Sequence, residues 1–392
     1  MTAIILVLCP MAEPASQFAS LARREDTAPA ETEFSTGILP CQALAACIAS
    51  GEISAEQPIG PELIQPASLD LRLGTTAYRV RASFLPGAGN NVADKLAGFA
   101  MHSFSLIDGA VLEKGCVYIV PLLENLKLRS RTGAMANPKS STGRLDIFTR
   151  VITDGAEEFD RVAAGYKGPL YAEISPRTFS VKVRTGSRLA QLRLRRGAST
   201  ASDTAMRRLH ERSPLIAGGE ADIESGLALS VDLTGDPRTG IVGYRAKRHT
   251  GVVDVDNVGG YAIADFWEPI TASGGHIILD PDDFYILASR EAVAVPPDHA
   301  AEMRAYDTLV GEFRVHYAGF FDPGFGHDSA GGAGSRAVLE VRSHDVPFVL
   351  EHGQTVGRLI YERLTALPDR LYGAGLGSHY QAQGLKLSKH FR

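Results

Sequence analysis

The densest chemistry in the chain lies in Ala136-Asn137-Pro138-Lys139-Ser140-Ser141-Thr142-Gly143-Arg144. Two adjacent hydroxyls and the backbone N–H groups of a turn, flanked by Lys139 and Arg144, offer neutral and charge-assisted donors to phosphate oxygens. The segment mimics a Walker A loop, but Pro138 stands where the second glycine belongs. Proline has no N–H to donate and cannot take a positive φ, and the flanks read as strand, so a P-loop is excluded. A polar hairpin turn with solvated charges is the plain structural alternative. A second candidate is Glu173, in the strand-like run Leu170-Tyr171-Ala172-Glu173-Ile174-Ser175. On a strand it shares a face with Tyr171, and it looks either to solvent or into a pocket where burial raises its pKa for proton transfer. Glu340, in Val338-Leu339-Glu340-Val341, repeats that placement.

Other segments are weaker. The glycines between Gly324 and Gly334 read as a hairpin loop rather than a phosphate cradle. The tail from Tyr372 to Gln383 suits either a segment that orders over a ligand or an ordinary disordered terminus. Zinc-dependent nucleobase deaminases need a His-x-Glu and a Pro-Cys-x-x-Cys. The nearest approaches, His299-Ala300-Ala301-Glu302 and Pro40-Cys41 with Cys47, have the wrong spacing. Neither a G-x-S-x-G elbow nor an HExxH is present, so the expectation is chemistry without a protein-bound zinc.

Strands must carry these residues. Gly37 to Ser54 reads as helix with Gly51 as its stop. After Pro66, segments such as Ser68–Leu73, Val117–Val120 and Phe179–Val183 alternate or run apolar at strand length, punctuated by Gly, Pro and Asn. That pattern predicts a mainly β protein built from barrels or double-sheet rolls. It also repeats. Glu173, Gly186 and Gln191 answer to Glu340, Gly353 and Arg358 at a constant offset of 167 residues, as do Tyr118-Ile119 and Tyr285-Ile286. Near the start of each half, Ala67-Ser68-Leu69-Asp70-Leu71 answers to Leu229-Ser230-Val231-Asp232-Leu233. The expected organisation is a disordered leader over 1–36, a β domain over 37–197, a linker over 198–217 and a second β domain over 218–392.

Composition bounds the function. The 392 residues are 44% apolar and 22% charged with a net charge of −5, which gives no overall basic field for a nucleic-acid duplex. No apolar run reaches the roughly 18 residues of a membrane span, and Ile4–Leu8 is too short for a signal peptide. The four cysteines show no CxxC pairing, which fits a reducing, cytoplasmic setting.

Taken together, Gln65-Pro66-Ala67-Ser68-Leu69-Asp70-Leu71-Arg72-Leu73-Gly74, then Pro138 to Arg144, Glu173 and Leu189-Ala190-Gln191-Leu192, resemble the dCTP deaminase branch of the dUTPase superfamily. The likeness covers both halves, and implies two tandem distorted β-barrels with active sites where neighbouring domains meet. It implies that Ser140, Ser141 and Arg144 hold the triphosphate, with Lys139 where Arg is usual, and that Gln191 belongs to the substrate strand. In the second half, Phe321-Asp322-Pro323-Gly324-Phe325 resembles the family's nucleoside hairpin, and Glu340 sits at its catalytic position. Tyr372, His379, Tyr380 and Gln383 resemble the segment that closes over the nucleotide.

Each half also departs from the pattern. At offset 167 the phosphate turn becomes Tyr306-Asp307-Thr308, and Arg144 becomes Gly311. The first half offers only Phe159-Asp160-Arg161 and Ala163-Ala164-Gly165-Tyr166 in place of the hairpin. Two arrangements follow: a complete first-half site around Glu173, or a composite site joining Ser140, Ser141 and Arg144 to Asp322 and Glu340. Glu173, whose surroundings are less altered, is placed first. The implied reaction is hydrolysis of dCTP to dUTP and ammonia, with Mg²⁺ arriving on the nucleotide and a Glu shuttling protons. A dUTP diphosphatase, a bifunctional enzyme making dUMP, and a non-catalytic nucleotide-binding regulator are the alternatives. The resemblance also implies a homo-oligomer, a trimer of chains.

Overall fold

Alternating and apolar runs of strand length pair here as antiparallel sheets, because each strand buries one face against a shared core. The computed structural model describes residues 34–305, 313–315, 319–343, 345–373 and 383–392. The first half holds a sheet in the order Ala100–Ser105, Thr76–Val80, Val117–Lys127, Lys167–Pro176, Ile147–Thr153, with Ile53–Ala55 added to Val117–Lys127. A second sheet runs Gly37–Ile38, Ala190–Arg196, Thr132–Pro138, Arg161–Val162, with Leu69–Leu71 on Ala190–Arg196. The second half repeats this pair. One sheet is centred on Phe284–Val293 and Ser335–Ser343, and the other on Thr355–Arg363 and His299–Ala305. The protein is mainly β with short helices, as the punctuation predicts.

The offset of 167 persists in the hydrogen-bond register. Glu173 lies opposite Ile119 and Glu340 opposite Ile286. Gln191 lies opposite Asn137 and Arg358 opposite Arg304. A shared period in sequence could arise from generic alternation, but here the cross-strand partner positions also keep the same offset, so the pairing pattern recurs in both halves.

Two local expectations change. The helix expected over Gly37 to Ser54 is confined to Cys41–Ala49, because Pro40 caps it in an extended conformation and Gly37–Ile38 is recruited as a strand. The stretch 198–217 is not bare linker. It contains the helix Asp203–Arg212, whose cap Ser202 accepts from the Ala205 N–H and whose Met206 and Leu209 are buried in the second-half core.

The halves interlock. Val181–Val183 of the first pairs in parallel with Val253–Asp254 of the second. Arg342 reaches across to Asp146 and donates to Thr178 Oγ1 at 2.7 Å. Phe391, near the C-terminus, packs against Phe179, Phe266 and Trp267 with ring centroids 5.4–6.4 Å away. One apolar core accordingly contains Val120 and Ala172 together with Trp267, Phe284 and Val338. Among the described residues no helix is long and apolar enough to cross a membrane.

Candidate active site

Where the halves meet, a cavity of about 370 Å³ opens. From the first half, Thr132–Pro138 ends at Pro138 and turns into a single helical turn, Ser140–Gly143, with Lys139 at its N-cap. This delivers Lys139, Ser140, Ser141 and Arg144 to one wall. The Lys139 ammonium is ion-paired to Asp70, whose Oδ1 is buried with no hydrogen-bond partner among the described residues. Gln191, on the neighbouring strand, also lines the cavity.

From the second half, Ser335–Ser343 turns Val338 and Glu340 toward the cavity, while Leu339 and Val341 enter the core behind. Glu340 is 4% exposed, and burial pushes its carboxyl up to about 8 against the pull of Arg144. Asp322 lines the same cavity and is held by Arg193, which reaches across to donate to its Oδ1 at 3.1 Å and to Ala301 O at 3.0 Å. Burial raises the Asp322 pKa, with Arg193 opposing it.

The aromatic wall comes from Phe321, Phe325 and Tyr372, with Phe325 5.1 Å from Phe321 and 5.6 Å from Tyr372. Gly324 makes that approach possible. Its φ is +93°, and a Cβ there would stand 2.9 Å from Leu371 Cβ, while the Tyr372 N–H donates to Pro323 O at 2.8 Å. Of the glycines from Gly326 to Gly334, none lines the cavity. The C-terminal segment closes the rim: Arg144 donates to Gln383 Oε1 at 3.0 Å and to Lys386 O at 2.8 Å. His379 and Tyr380, with Tyr306, Asp307, Thr308 and Gly311, lie outside the described residues.

Glu173 is the candidate that the structure separates from the rest. It is 1% exposed but does not line this cavity. Its Oε1 accepts from Arg150 Nε at 3.1 Å, and Oε2 has no partner among the described residues. Arg150 lies over the Phe159 ring at 3.4 Å and the Phe148 ring at 4.7 Å. Tyr171, on the same face, joins a small apolar cluster with Val80, Ile119 and Ile152. Of the two glutamates, Glu340 and not Glu173 lines the cavity that Ser140, Ser141 and Arg144 also line. Where Glu340 opens on the cavity, a guanidinium stacked between aromatic rings covers Glu173. The hairpin comparison is also corrected. Phe321 pairs with Ala301 and Val162 with Ala134, so Asp322 answers to Ala163 and not to Asp160.

Sequence reading did not single out Arg188, Lys389, Phe325 or Val338 as site residues, yet all four line the cavity. Arg188 lies just ahead of Gln191 and Phe325 in the hairpin, so both were within reach. Lys389 arrives from the far end of the chain and leaves no local signal. Among the described residues, no three of His, Cys, Asp and Glu gather as a metal-holding group.

Comparison with known proteins follows this division. Residues 35–198 match the family model of the 2'-deoxycytidine 5'-triphosphate deaminase N-terminal domain, and residues 202–391 that of its C-terminal domain. A solved 2'-deoxycytidine 5'-triphosphate deaminase from Agrobacterium tumefaciens is 60% identical, with a TM-score of 0.82 over 84% of this chain and all of that one. A dUMP-forming dCTP deaminase of Halobacterium salinarum is 34% identical over 120 residues, 30% of this chain and 57% of that protein. A dCTP deaminase of Haloarcula marismortui is 33% identical over 120 residues, with the same two shares. The chain thus spans little more than half the length of these two curated relatives.

Proposed function

This chain belongs to the 2'-deoxycytidine 5'-triphosphate deaminase family, and from that premise we propose that it hydrolyses dCTP to dUTP and ammonia in the cavity between its halves. The observation that carries the reading is the meeting of Ser140, Ser141 and Arg144 with Glu340 in one cavity. The phosphates lie along the helical turn and Lys139. The cytosine lies toward Glu340, beside Val338. Water attacks C4 and its oxygen replaces the exocyclic nitrogen, which leaves as ammonia. Water is a poor nucleophile, so the Glu340 carboxylate takes its proton and returns protons to the ring and the departing amine. Burial suits that shuttle by bringing the carboxyl pKa toward neutrality, and a hydroxyl of the turn can fix the water. Phe325 and Tyr372 shield the sugar.

Mg²⁺ would come with the triphosphate, held mainly by phosphate oxygens and water, and would neutralise phosphate charge. The donor set fits a hard ion, because Asp70 brings a buried carboxylate oxygen without a partner among the described residues to that end of the cavity. The reaction needs no zinc held by the protein. The finer architecture we propose is two tandem dUTPase-like distorted barrels, with chains associating as trimers in the cytoplasm.

A second reading, onward hydrolysis to dUMP, is favoured by Asp322 in the same cavity and by the dUMP-forming relative. The Arg193 clamp on Asp322 weighs against it, because that carboxylate is already engaged. Purified protein with dCTP and Mg²⁺ separates the readings. Ammonia with dUTP supports the first, pyrophosphate with dUMP the second. Tight binding with no product would leave only a nucleotide-binding regulator.

A further inference from the structure

Asp146 lies just beyond Arg144 at the end of the helical turn, and Arg342 lies two places after Glu340 on its strand, so it shares that side chain's face. The two side chains meet across the joint between the halves. Arg342 Nε donates to Asp146 Oδ2 at 3.1 Å, and Nη2 donates to the same oxygen and to Thr178 Oγ1, the latter at 2.7 Å. The Thr178 hydroxyl donates in turn to Asp146 Oδ2 at 2.5 Å. The Asp146 side chain is 1% exposed and that of Arg342 9%. Neither lines the cavity, yet each stands two places along the chain from a residue that does.

The backbone at Asp146 is set for this contact. Its φ is +55°, in the left-handed region that aspartate and asparagine enter more readily than most side chains. Its N–H donates to Gly143 O at 2.8 Å, and its carbonyl accepts from the Arg177 N–H at 2.9 Å. The pair is not part of the repeated unit. At the offset of 167 residues, Ser175 stands in place of Arg342 and Phe313 in place of Asp146. The pair thus occurs beside the glutamate that opens on the cavity, and the strand of Glu173 lacks its arginine. Two buried charges are a weak source of stability compared with well-packed apolar residues, and the gain such a pair offers is register.

We propose that Arg342 and Asp146 are positioning residues for the deamination, holding the Glu340 strand against the turn of Arg144 at the separation a nucleotide spans between base and phosphates. The proposal rests on the reading that Glu340 is the proton carrier. The pair also shapes the charge beside that carboxyl. Burial raises the Glu340 pKa, Arg144 opposes the rise and Asp146 adds to it. Around the rest of the cavity Lys139, Arg188 and Lys389 stand with Glu62, Asp70 and Asp322.

The test is steady-state deamination of dCTP by the full chain across pH, with kcat counted per nucleotide-binding site. Arg342→Gln should lower kcat on the order of tenfold to a hundredfold with KM within about threefold, because alignment is lost while the phosphate contacts remain. It should move the rising limb of kcat/KM to higher pH, since Arg342 no longer balances the Asp146 charge. Asp146→Asn, which tolerates the same φ, should lower kcat similarly but move the limb to lower pH. Arg342→Lys keeps the charge without the fork, and should restore the limb but only part of kcat. The double variant Asp146→Asn/Arg342→Gln buries neither charge alone, and its lowered kcat covers the case in which a single variant fails to fold. Unchanged kcat in the folded variants, limbs that move in the same direction, or a KM that rises as much as kcat falls overturns the proposal. Carbon NMR of the glutamate-labelled chain, with Glu340→Gln assigning the signal, reads the same opposite shifts without turnover. Their appearance in a protein that releases no ammonia strikes only the deaminase reading.

Discussion

Two glutamates occupy the same register in two copies of one strand pair, and their surroundings give them different work. Glu340 faces a cavity with the hydroxyls and cations of Lys139 to Arg144 also lining it, whereas Glu173 faces Arg150. Replacing Glu340 with Gln should lower kcat by about 10²–10⁴-fold with little change in nucleotide affinity, since shape is kept and the proton carrier is lost. Glu173→Gln should leave kcat within a few-fold but lower Tm, because Arg150 loses its charged partner in a mostly buried site. The reverse pattern in steady-state kinetics would return the catalytic role to Glu173. The Glu340 pKa also carries a stability signature. The folded carboxyl, at about 8, lies above its unfolded value of 4.5. Below pH 4.5 both states hold the proton. Between the two values only the folded state does, so stability falls by up to ~1.4 kcal/mol per pH unit as pH rises, and levels above about 8. Glu340→Gln should therefore gain Tm over wild type between pH 5 and 8 and show no gain at pH 4. In the free enzyme, kcat/KM should rise with pH toward about 8 as the base ionises.

At the scale of elements, the helical turn Ser140–Gly143 depends on a distant strap. Arg144 is bound to Gln383 and Lys386 O, and Ser388 to Ser141 O, so residues 383–392 set the turn from behind. The strap is pinned in turn by Phe391 among aromatic rings and by two backbone bonds, the Tyr261 N–H donating to His390 O at 3.1 Å and the Arg392 N–H to Tyr261 O at 2.9 Å. Phe391→Ala should destabilise by about 2–4 kcal/mol and raise KM for dCTP, although Phe391 does not line the cavity. An unchanged KM in a folded variant would show that the turn needs no such support. This dependence explains what the sequence could disclose. Hydroxyl and cation spacing in Lys139 to Arg144, and the alternation around Glu340, are local and periodic, so both were legible. Arg150 over Glu173 was not, because nothing in the spacing of two residues 23 apart says that a bulge-free strand pair brings them side by side. Nor could composition reveal that Arg193 of one half would clamp Asp322 of the other.

At the scale of the whole molecule, no clean seam separates the two halves among the described residues. A parallel strand pair, the Arg342–Asp146 ion pair and a core containing residues of both halves join what the sequence presents as two consecutive units. Scanning calorimetry should accordingly give a single transition whose calorimetric and van't Hoff enthalpies agree, and two separated peaks would contradict the interlocking. The repeat at offset 167 was legible because duplication leaves a period. The interpenetration was not, since strand Val253–Asp254 is two residues long and carries no pattern.

A guest whose charged end grips one copy while its ring rests on the other acts as a molecular clamp. Any spreading of the copies must first release it. Occupancy is thereby linked to cohesion of the entire polypeptide, by about 2.7 kcal/mol at a hundred times the dissociation constant. Resistance to proteolysis should climb with metabolite concentration, so the cell's nucleotide supply would govern how long each copy of the protein survives.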